Sequence, residues 1–172
     1  ARQPALDAAR ARGERDAERF ADAGGFDREG WRWPDYRPLV RLAAENGLVL
    51  RAANFSREEA RALIRSGKPA PDLPAATSAL RAVLERDIIE GHCGHRPPAP
   101  VLTGMVEAQR ARDAQMARSL QDAGASGAVL IAGAGHARLD RGAALYLPPE
   151  ERGRLLSLAF LEVEAGKTDP HD

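Results

Sequence analysis

Apolar positions along the chain follow two rhythms. One recurs at steps of three and four, the mark of a helix with one buried face; the other is a short unbroken run between glycines, the mark of a strand buried on both faces. The helical rhythm covers residues 4–23, carried by Leu6, Ala9, Ala17 and Phe20 and closed by Gly24-Gly25. It returns over residues 34–46, where Pro34 suits a first helical turn and Gly47 a stop. Ser56 and Glu59 form a capping box that starts a helix running to about residue 66. A connector at residues 68–74 with three prolines follows. Residues 75–89 are helical, with Leu80, Val83, Leu84 and Ile88 on one face, and so are residues 104–123, with Met105, Ala108, Arg112, Met116 and Leu120 near one face. The strand rhythm marks residues 48–53, 128–132 and 155–163. Strand, polar turn and capped helix in succession predict an α/β fold, a mostly parallel sheet flanked by helices, with a small helical subdomain. The expected organisation is one domain over residues 1–172 with a helical insertion at roughly 56–103.

Composition narrows the function classes. Lys+Arg and Asp+Glu are each 25, so no net charge points to nucleic acid, and Lys68 and Lys167 are the only lysines. The single cysteine, Cys93, has no internal disulfide partner. No apolar run reaches membrane-spanning length and no signal peptide pattern is visible. The tail at residues 164–172 is polar and is expected to fray.

Chemistry concentrates in a few places. His136 follows Gly133 and Gly135 at the carboxyl end of a predicted strand, where open α/β sheets bind ligands, with Arg138, Asp140 and Arg141 behind it. The competing reading is a turn whose histidine bonds a neighbour. His92, Cys93 and His95 invite a zinc site, but the chain has no second Cys/His cluster, leaving a proline-rich loop or a ligand-facing loop. Gln109, Arg112 and Asp113 flank the apolar stripe of the long helix. Arg112 is either held ready for an anionic group or paired with an acid that orients two helices. Trp31 and Trp33 read as a pinned loop or a ligand lid.

Several motifs in order resemble the ChaN-like family of haem-binding lipoproteins in bacterial iron uptake, part of a superfamily with Tiki proteases and erythromycin esterases. They are Trp-x-x-Tyr-x-Pro-Leu-Val at residues 33–40, Ala-Ala-Asn at 52–54 and Gly-His-Cys-Gly at 91–94. Ala-Gln followed by Arg-Asp-x-x-Met-Ala within residues 105–117, and Ile-Ala-Gly-x-Gly-His-x-Arg-x-Asp-x-Gly at 131–142, complete the set. The family opens on a strand with a Gly-Glu-x-His-type motif. The chain, which begins at Ala1, has no match to it and is read as trimmed.

The resemblance implies a dimer enclosing two stacked haems. Tyrosine from one subunit ligates iron; histidine and lysine from the other hold propionates. His136 carries over directly. Tyr146 is favoured over Tyr36 as the iron ligand, although some relatives have tyrosine where this chain has Arg141. The lysine has no match, so Arg112, Arg138 or Arg141 is expected in its place, and His92 joins the candidate cofactor set. A location on the periplasmic side of the cell envelope, lipid-anchored, and an outer-membrane haem receptor as partner are implied as well. The alternatives are a metal-dependent hydrolase of the same superfamily, using His136 with His92 and Asp140 or Glu90, or its inactive remnant. A further alternative is a binding domain without a cofactor. Without the leading motif the expectation leans away from an enzyme.

Overall fold

The structure, a computed structural model, describes residues 2–69 and 72–160. It divides into two compact units, Ala1–Ser56 and Arg57–Asp172.

In the first unit the expected helix over residues 4–23 is two helices, α1 (Gln3–Ala11) and α2 (Ala17–Gly24). Gly13 between them is left-handed, with φ +72°. Asp16 then starts α2 afresh, its carboxylate accepting from the Arg19 amide at 3.0 Å. Gly25, also left-handed, closes α2 where the glycine pair predicts a stop. Helix α3 (Trp33–Glu45) begins on the Trp-Pro pair. Leu6, Ala9, Phe20 and Ala44 form the core, with Val40 and Leu50 against it. Trp33 is pinned: its indole donates to Glu18 at 2.8 Å and its ring lies 5.0 Å from Phe26.

The second unit is built on α6 (Ala99–Gln121), against which α4 (Arg57–Ser66) and α5 (Ser78–Gly91) pack. Helix α6 starts five residues earlier than the apolar pattern predicts, because a first-turn proline, Pro100, lacks only an N–H that would be unpaired there anyway. At Gly104 a Cβ would run into the carbonyl of Ile64, so α4 crosses α6 at backbone contact. The short helices α7 (Ala134–Ala137) and α8 (Pro149–Arg152) and a 3₁₀ turn (Ala143–Tyr146) also belong to this unit.

Among the described residues every regular element is helical, and no strand or sheet occurs. This overturns the expected α/β fold with its mostly parallel sheet. A strand depends on a neighbour for every backbone hydrogen bond, whereas a helix supplies its own. At residues 48–53 no strand lies alongside; the Leu48 amide donates to the Ala43 carbonyl at 2.9 Å, and Gln3 donates to the Leu50 carbonyl at 3.2 Å and accepts from the Ala52 amide at 2.9 Å. Residues 128–132 and 155–160 form no ladder; Leu130 and Leu155 are half-buried, while Ile131, Leu156 and Leu158 are exposed, as are Val129 at 89% and Phe160 at 95%. Residues 161–163 of the expected last strand lie outside the described residues, as does the 164–172 tail.

Candidate functional site

Glu107, Arg110 and Asp113 stand at steps of three along α6, and all three are buried. Charged groups survive such burial only when paired. Glu107 accepts from Arg110 at 2.7 Å and from Arg81 of α5 at 3.0 Å. Arg110 also donates to the carbonyl of Pro74, which fixes the connector ahead of α5. Thr77 then caps α5 through the Leu80 amide.

Asp113 is wholly buried, and its Oδ1 lies 2.6 Å from Nδ1 of His136 on α7. Gln109, one helical turn before Asp113, brings its amide nitrogen to 3.0 Å from the same Nδ1. One ring nitrogen cannot both donate to the carboxylate and accept from the amide. The carboxylate is the stronger acceptor, so a protonated Nδ1 donates to Asp113, and the Gln109 side chain bonds the same carboxylate. Burial pushes the Asp113 carboxyl up, opposed by its bond to His136. Gly142 lets this loop close, since a Cβ there would strike the carbonyls of His136 and Arg138. Arg112, the next residue back on α6, is half-buried; burial lowers its pKa and the charge of Asp113 opposes that.

A cleft of about 540 Å³ opens between the connector, α5 and the 3₁₀ turn. Leu80, Val83, Leu145 and the Tyr146 ring give it apolar walls; Arg110, Arg141 and Asp140 give it charge. Arg141 is gripped by Asp87 of α5 at 2.5 and 3.2 Å, and its Nη1 meets Asp140 at 2.6 Å. The Tyr146 hydroxyl is buried. It has no hydrogen-bond partner of ordinary geometry among the described residues, as is true of Arg110 Nε and Asp113 Oδ2. Burial pushes the Tyr146 phenol up, and the nearby Arg110 guanidinium opposes that.

The structure thus gathers Tyr146, Arg110 and Arg141 around one cleft, and His136, Gln109 and Asp113 into one bonded group. The other expected site residues stand elsewhere. Arg138 is exposed and pairs with Asp140 at 3.1 Å. His92 is exposed at the end of α5, its Nδ1 bonded to the Ile88 carbonyl at 2.6 Å. Tyr36 lies in the first unit against Trp31 and Phe26. Among the described residues no three His, Cys, Asp or Glu side chains are grouped to hold a metal ion. The sequence analysis does not single out Arg110 or Glu107; their places three and six residues before Asp113 are the signal that finds them.

A family model described as haem-binding uptake, Tiki superfamily, ChaN, matches residues 1–147. No curated protein and no solved structure matches the chain.

Proposed function

The chain belongs to the ChaN haem-binding uptake family of the Tiki superfamily, and from that premise we propose that it binds haem in the cleft beside α5 as a step in bacterial haem uptake. The observation that carries the reading is the cleft's make-up. Its volume of about 540 Å³ lies within the usual range for small-molecule sites, its walls are apolar, and its polar groups are few. Leu80, Val83, Leu145 and the Tyr146 ring suit a porphyrin face, and Arg141 suits a propionate. Bound haem supplies the iron; the chain's part is to hold and orient the pigment.

An open cleft covers one face of a flat ligand. In this reading a second copy covers the other, giving a twofold dimer that forms with haem. Sedimentation velocity with and without haemin tests it, and persistent monomer at saturating haemin rejects the shared pocket. The protein then works on the periplasmic side of the cell envelope, passing on haem from an outer-membrane receptor. Support for this location is the family's uptake role alone.

Haemin titration followed by absorption tests the core of the proposal. A saturable Soret shift, weakened by Ala79→Glu at the exposed rim of the cleft, is expected. Absence of any Soret shift rejects it.

A further inference from the structure

Tyr146 turns two parts of itself to two places. Tyr146 lines the cleft, while its hydroxyl is buried beside Arg110 and leaves the ring as the side-chain surface it can offer. A molecule docked in the cleft therefore meets aromatic carbon and not a phenolic oxygen. Leu80, Val83 and Leu145 offer apolar surface of the same kind. None of these contacts coordinates iron.

The charge at the cleft is arranged for a carboxylate. Asp87 holds the Nε and Nη2 edge of Arg141, which fixes the guanidinium in place. Its Nη1 meets Asp140, whose side chain is 58% exposed. A ligand carboxylate can take that exposed aspartate's place without uncovering a buried charge. Arg110, in contrast, is committed to Glu107 and the Pro74 carbonyl.

Resting on the haem-binding reading above, we propose that the cleft selects tetrapyrrole dicarboxylates as a class, by ring face and carboxylate and not by the metal. Haem and its iron-free counterpart are then near-equivalent ligands, and Tyr146 serves as a wall.

Direct binding of two probes tests this, haemin by absorption and protoporphyrin IX by its own fluorescence. The proteins are the wild type, Tyr146→Phe, Arg141→Gln and Ala79→Glu. Ala79 is exposed on α5 and lines the cleft, so its replacement leaves the fold intact. The expected result is Kd values for the two pigments within about threefold of each other in the wild type. Tyr146→Phe changes neither by more than about threefold, while Ala79→Glu and Arg141→Gln weaken both by about tenfold or more. Haemin bound at least about thirtyfold more tightly than protoporphyrin IX overturns the proposal, as does loss of haemin binding alone in Tyr146→Phe. Either result leaves the haem-binding reading standing. If the wild type binds neither pigment, that reading fails and the inference fails with it.

Discussion

Nδ1 of His136 lies 2.6 Å from Oδ1 of Asp113, a carboxylate with no exposed surface. The contact joins α7 to the middle of α6. It also ties stability to pH. Burial holds the Asp113 carboxyl above its ordinary value of 3.8, so the folded protein binds this proton more tightly than the unfolded chain does. The stability that Asp113 contributes is full below that ordinary value and is lost as pH rises through the raised one. Asp113→Asn removes the titration. Wild type is therefore expected to lose stability relative to Asp113→Asn as pH rises from about 4. Urea midpoints of both proteins across acid to neutral pH measure the difference; a slope of the opposite sign refutes the account.

The Glu107 carboxylate serves two arginines of unequal exposure, Arg110 at 3% and Arg81 at 36% side-chain exposure. Glu107→Gln leaves Arg110 charged and buried, and a loss of about 3–5 kcal/mol is expected. Arg81→Gln removes only the outer partner and should cost under about 1 kcal/mol. Equal losses in urea unfolding would show that the inner pair is not the one that matters.

Gly104 lies inside a helix, where alanine normally stabilises by about 1 kcal/mol. Here the added methyl meets the Ile64 carbonyl of α4. Gly104→Ala is therefore expected to destabilise by about 1–3 kcal/mol, the cost of overpacking. A raised Tm in a thermal melt would mean that α4 and α6 do not touch at this point.

Tyr36 and Tyr146 are the only tyrosines. In a Tyr36→Phe background the near-ultraviolet phenolate signal belongs to Tyr146 alone. Burial places its ionisation above the ordinary value of 10, against the pull of Arg110. Alkaline spectrophotometric titration should find it there while far-ultraviolet circular dichroism remains native. Ionisation below that value in folded protein would place the hydroxyl in water.

Local signals in the chain are reliable where the physics is local. The Gly25 stop and the start of α4 after Ser56 both fall where turn chemistry puts them. Residues 48–53 and 128–132 are apolar enough for strands, but a strand needs a partner elsewhere in the chain, and no short window of sequence reports whether one is present. Motif and position single out His136 and Tyr146, which stand against Asp113 and at the cleft respectively. Arg110 is harder to find than Arg112 because a charged residue inside a helix ordinarily reads as solvated surface. The two differ by two positions, more than half a turn of α6, which is enough to exchange a buried side chain for a half-buried one.

Both tryptophans, Trp31 and Trp33, fall within Ala1–Ser56, and the unit from Arg57 onward has none. Indole emission therefore follows the environment around Phe26, Glu18 and Tyr36 and is silent about the melting of α4, α5 and α6. Circular dichroism registers the helices of both units. A denaturation curve recorded by fluorescence and one recorded by ellipticity are thus measurements on different parts of the chain, and they coincide only if the two units unfold as one cooperative body.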